Sequence, residues 1–182
     1  MKKSIILFAM IGLTTLAFAQ KKQTTTSATI IFDATTSLDK LPKADNKTVI
    51  ASLDTKTGNV AFESVIKSFT FSNPKMQEHF NGDKWMDSDK FATATFSGKI
   101  TNLSAVNFKK DGTYKAYVTG DLSLHGITKP ITTEASITVL GKTISTITNF
   151  SVKLADFGVN GGAIAAGKVA TEPTISVTAD FK

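Results

Sequence analysis

The chain has 182 residues, no cysteine and a formal net charge of +6, with 21 basic against 15 acidic side chains. Without cysteine it has no disulfide, no thiolate metal site and no Cys nucleophile, so its stability must come from an apolar core. Its lysines are scattered in runs no longer than two, the pattern of a solvated surface rather than of a nucleic-acid groove.

In chain order, residues 1–19 read as a secretory signal peptide. Lys2 and Lys3 precede an apolar run from Ile5 to Leu13, and Ala17-Phe18-Ala19 forms a cleavage site before Gln20. The run is too short to span a bilayer comfortably, and no second long apolar run follows. The expectation is a single domain over residues 20–182 with no transmembrane segment, cleaved after Ala19 and periplasmic or secreted. The polar stretch KKQTTTS that follows is expected to be a frayed arm.

Strands come next. ATIIFDA is apolar and β-branched, and KTVIASLDTKTGNVAFESVIKSFTF holds two strands around a turn at Asp54–Asn59. Val60, Phe62 and Ile66 share a face there. NPKMQEHFNGDKWMDSDKF breaks the alternation. Pro74 suits a helix start, and Met76, His79 and Phe80 fall on one helical face, which predicts a short helix near residues 74–81. Ala94, Phe96, Gly98 and Ile100 then alternate, and Asp111-Gly112 predicts a tight hairpin. Tyr114 to Leu124, Ile131 to Val139, Ile144 to Leu154 and Ile175 to Phe181 each alternate in turn. About eight strands at short spacing predict an antiparallel sandwich or an up-and-down barrel.

Few residues suggest chemistry. GGAIAAGKV, residues 161–169, approaches a phosphate loop, but Val169 stands where Ser or Thr must hold magnesium. It reads better as a flexible loop of small residues able to gate an opening. His79 and His125 are far apart and in no ligand spacing, so neither a metal site nor a cofactor is expected. No catalytic residue is assigned and no enzyme activity is expected. In GDLSLHGITKPIT, Gly126 permits a turn and Pro130 sets φ for the returning strand. His125, Thr128 and Lys129 gather at that tip.

Three segments carry a family resemblance: MQEHF, DSDKFATATFSGKI and GDLSLHGITKPIT. With Met76, His79 and Phe80, with Phe91, Ala94, Thr95 and Phe96, and with Gly120, Leu122, Leu124, His125, Gly126, Thr128, Lys129 and Pro130, they resemble the YceI-like family of exported bacterial proteins. The likeness extends over about residues 27–181. It departs from the family pattern at ATIIFDATTS, which lacks the usual Trp and His-Ser pair, and at Ala92, where Pro is common.

The resemblance implies an all-β fold: an extended, eight-stranded, antiparallel lipocalin-like barrel with a short helical insertion. It also implies that an elongated apolar tunnel binds a polyisoprenoid or similar amphiphile. The expected function is therefore a periplasmic carrier for a long-chain apolar amphiphile such as an isoprenoid, a quinone or a fatty acyl compound. The chain would act as a monomer or homodimer, without nucleic acid. From the alternation, Phe62, Ile66, Phe96, Leu122, Leu124, Phe150 and Val152 should line the tunnel. His79, His125 and Lys129 would either be polar contacts to a head group or tie the hairpin tip to the helical insertion, and for His125 the structural role is the preferred reading. The competing expectation is a filled barrel serving as a stress-response or surface interaction module, distinguished by an interior below roughly 300 Å³.

Overall fold

Alternation becomes strand along most of the chain. A computed structural model describes residues 22–182; the expected signal segment lies outside the described residues. The elements are β1 (Lys22–Asp33), β2 (Lys43–Asp54), β3 (Asn59–Val65), β4 (Thr70–Phe71), α1 (Pro74–Asn81), β5 (Thr93–Ile100), β6 (Gly112–Leu124), β7 (Ile127–Leu140), β8 (Thr143–Ser151), α2 (Gly162–Ala165) and β9 (Thr174–Phe181).

Neighbouring strands run β1-β9-β8-β7-β6-β5-β3-β2, and β2 pairs back onto β1. Eight antiparallel strands thus close into a barrel, which leaves the two-residue β4 extending the sheet beside β2. Closure removes most of the sheet edge that would otherwise invite aggregation.

Two expectations need correction. Lys22–Thr25 is no frayed arm, because it pairs with Ala51–Asp54 at the start of β1. Its threonines are good strand residues, and closing the barrel supplies the partner that the local sequence cannot show. Asp111-Gly112 is not a tight hairpin either. β5 stops at Ile100, a 3-10 turn at Leu103–Ala105 intervenes, and Gly112 opens β6 with φ 153°. The Asp111 carboxylate instead accepts from the Gly141 amide in the β7–β8 turn, at 2.9 Å.

The α1 helix forms where expected. Asn73 caps it by accepting from the Lys75 amide at 2.9 Å, and Pro74 occupies its first turn. Gln77 ties it to the barrel, donating to the Phe69 carbonyl at 2.6 Å and accepting from the Phe71 amide at 3.0 Å.

The interior divides into two clusters. One end packs Val49, Leu53, Ile100, Ile137, Val139 and Phe181. The other packs Phe32, Phe69, Phe71, Phe80, Met86 and Leu154 beneath α1. There the ring of Phe80 lies 4.9 Å from that of Phe71, 5.7 Å from Phe69 and 5.9 Å from Phe32.

Candidate functional site

An apolar cavity runs between these clusters. Its lining reaches from Ile137, Ile100 and Phe181 at one end to Phe69, Phe80 and Met86 at the other. The lining members of β6, Val118 to Leu124, span six residue steps, about 20 Å of strand. The open volume is about 170 Å³. Spread evenly along that length, this volume corresponds to a narrow channel, about one hydrocarbon chain wide. It is smaller than the roughly 300 Å³ at which compact ligand pockets begin.

All seven apolar residues expected at the tunnel stand on this wall: Phe62, Ile66, Phe96, Leu122, Leu124, Phe150 and Val152. Ile66 arrives by an unexpected route, from a 3-10 turn that follows β3. The polar lining residues are Ser64, Thr95, Thr133, Thr146 and Thr148; no charged side chain takes part. The expected lining omitted Ile30, Phe32, Ile175 and Val177, which lie on the inward register of β1 and β9; for Ile175 and Val177 alternation already marks the shared face. Their strands were recognisable, but the faces they share with the cavity depend on closure.

The three polar candidates lie elsewhere. His79 is exposed on α1, whose inward face carries buried Phe80 and half-buried Met76. The predicted common face of these three residues therefore holds for two of them. His125 and Gly126 form the two-residue β6–β7 turn, with φ 50° and 75°. Two positive φ values define a type I′ turn, which suits the twist of a hairpin. The His125 ring stacks edge-on against Phe91, with centroids 4.6 Å apart. Its Nδ1 lies 2.9 Å from the Phe157 carbonyl. A carbonyl only accepts, so Nδ1 carries the proton and donates. Lys129 pairs with Leu122 across the hairpin and shares its inward register, but it sits exposed at the rim. None of the three lines the cavity.

The segment 161–170 is better packed than its composition suggests. Val169 is buried, Ala163 and Ile164 pack on the second cluster, and the Ala170 amide donates to the Ala34 carbonyl at 2.9 Å. Gly161 lies so close to the Trp85 indole that an added Cβ would come within 3.3 Å of its nitrogen. Among the described residues no cluster of three His, Asp or Glu could hold a metal ion, and no helix is long and apolar enough to cross a membrane.

Comparison with known proteins gives this architecture a family. The YceI-like domain matches residues 14–181. The chain belongs to the YceI-like family. Among curated relatives, a UPF0312 protein of Pseudomonas fluorescens is 31% identical over 58% of this chain and 55% of its own length. A UPF0312 protein of Vibrio campbellii is 38% identical over 41% of this chain and 35% of its own. The matched stretches thus span between about a third and just over half of these relatives.

Among solved structures, two share this barrel fold. A polyisoprenoid binding domain from Saccharophagus degradans superposes with a TM-score of 0.75 at 13% identity, covering 90% of this chain and 98% of its own. Burkholderia cenocepacia BcnA gives 0.69 at 19% identity, covering 84% and 96%.

Proposed function

We propose that this YceI-like protein binds a long apolar chain, of the isoprenoid, quinone or fatty acyl class, along the barrel axis and carries it outside the cytoplasm. The observation that carries this reading is the channel: elongated, one chain wide and walled by apolar side chains without a charge. The Saccharophagus degradans barrel, described as polyisoprenoid binding, supports the ligand class. Each buried methylene contributes about 0.8 kcal/mol, so roughly ten of them offset the entropy lost on association. Shape and length would then select the ligand more than polar recognition does. Phe62, Ile66, Phe96, Leu122, Leu124, Phe150 and Val152 would contact the chain. Of the polar candidates, Lys129, exposed at the rim, would meet an anionic head group. The lining offers hydroxyls and no titratable group, which favours binding over catalysis.

The small open volume favours one second reading, a filled barrel that acts as an interaction module. Intact mass under native and then denaturing conditions separates the two. A carrier shows extra mass that disappears on denaturation, with a lipid in the organic extract. A single mass in both conditions, persisting after incubation with isoprenoids and fatty acids, would overturn the carrier reading and leave the filled barrel.

A further inference from the structure

The barrel wall is not zipped along its full height. β7 pairs with β8 only from Ala135↔Thr148 to Leu140↔Thr143. Beyond that point Ile127–Glu134 pairs with β6 alone, and Asn149–Ser151 pairs with β9 alone. The stretch of β7 without a β8 partner covers seven residue steps, about 24 Å. The two lips belong to separate halves of the wall. The β8 lip stays with the β9 side through Val152 N–H to the Pro173 carbonyl and Leu154 N–H to the Thr171 carbonyl, at 3.1 and 3.0 Å.

The sequence holds this seam open. Counting from the β6–β7 turn, residues 127, 129 and 131 direct their backbone groups at β6, and 128, 130 and 132 direct theirs at β8. Pro130 occupies one of the seam-facing positions and has no N–H to offer. Where pairing should resume, hydroxyls intrude: Thr148 Oγ1 donates to the Glu134 carbonyl at 2.7 Å and lies 2.8 Å from Thr133 Oγ1. Ile131 and Thr133 on one lip, and Phe150 and Val152 on the other, all line the channel. Ile131 and Phe150 point inward yet are only half-buried.

At the open end one side-chain bond spans the seam, from His125 Nδ1 to the Phe157 carbonyl. Ile127 and His125 also pack against Gly158, where an added Cβ would lie 3.6 and 3.7 Å from them.

We propose that the β7–β8 seam is a lateral portal through which an apolar chain enters and leaves the channel, with His125 as its latch. The proposal rests on the channel-binding reading for its ligand, but the portal itself is a property of the wall. Its test uses His125→Gly, which keeps a residue suited to positive φ and removes the donor. His125→Asn, which also tolerates that conformation and forms the favoured Asn-Gly pair, serves if the first variant folds poorly.

Two readouts are taken. The chain has no cysteine, so Val152→Cys supplies a single thiol on the inner lip for a water-soluble maleimide. Stopped-flow fluorescence of a polyene fatty acid follows uptake and release. With His125→Gly, labelling, uptake and release should each quicken about fivefold, the factor that corresponds to one hydrogen bond, while equilibrium affinity stays level. Wild-type rates of labelling and exchange would overturn the portal and leave channel binding intact. Faster labelling without saturable fatty-acid binding would uphold the opening and sink the channel-binding reading.

Discussion

Gly98 and Gly120 face one another on adjacent inward positions of β5 and β6. Their small size admits two readings, taper packing or a slot for ligand, and the structure decides between them. An added Cβ on Gly98 would fall 2.6 Å from the Phe96 ring, and one on Gly120 would fall 2.4 Å from the Gly98 Cα and from the Ser97 carbonyl. The Phe96 ring fills the space above both glycines, so this place is packed wall. Gly120→Ala should therefore destabilise the protein by about 1–3 kcal/mol or more, because the atoms in the way are backbone and cannot swing aside. Urea unfolding would measure it; a variant as stable as the parent would show that the two strands can part there. His125 is a second residue whose meaning lies in its backbone. Outside glycine, positive φ is uncommon, and here it is held by the hydrogen bond to Phe157 and by the Phe91 ring.

At the scale of elements, α1 is the clearest case of a local signal surviving intact. Asn73, Pro74 and the following helix formers start it, and Gln77 and Phe80 decide where it docks. Phe80 closes one end of the channel against Phe32, Phe69 and Phe71. Phe80→Ala should lower stability by about 3–5 kcal/mol, measurable by urea unfolding, and lengthen the channel at that end. A longer fatty acyl chain should then bind better relative to a shorter one, and an unchanged chain-length preference would show that the ligand never reaches α1. The β5–β6 connection is the opposite case. Asp111-Gly112 has ideal hairpin chemistry, yet the chain there leaves the sheet early and Asp111 serves the β7–β8 turn instead. Turn propensity states what a dipeptide tolerates, and the neighbouring turn decided how it was used.

At the scale of the whole molecule, stability rests on packing and hydrogen bonding without a covalent tie. Acid should expose one contributor. Asp33 has its carboxyl held below its ordinary value of 3.8, first by the Thr35 hydroxyl and further by the Thr35 amide and Lys43. Such a group stabilises the fold fully above the unfolded value, and that contribution is lost as pH falls through the lower folded value. The melting temperature of Asp33→Asn should therefore lie below that of the parent at neutral pH. The two should converge well below pH 3.8, and a gap that persisted there would assign the effect to something other than the charge. Asp33 joins the end of β1 to Lys43 at the start of β2, at 3.1 Å, so this pair sits where the barrel closes.

Several things were legible in the residues alone. Alternation with period two marked the inward faces of Phe62, Phe96, Leu122, Leu124, Phe150 and Val152, because a strand's side-chain direction is a local property of its backbone. The helix at Pro74 and the turn at His125-Gly126 were legible for the same reason, since caps, proline and positive φ act within a few residues. Tertiary structure alone decided the rest. Lys22–Thr25 became strand because β2 lay beside it, and Ile30 and Phe32 became channel wall because the barrel closed. The seam between β7 and β8 exists because hydrogen bonds that Ile127–Glu134 would need were given to β6 on one side and, on the other, prevented by Pro130 and taken up by the Thr148 hydroxyl. A sequence states which face each residue can offer; which neighbour meets it depends on pairings between segments far apart in the chain, and those form only when the whole sheet does.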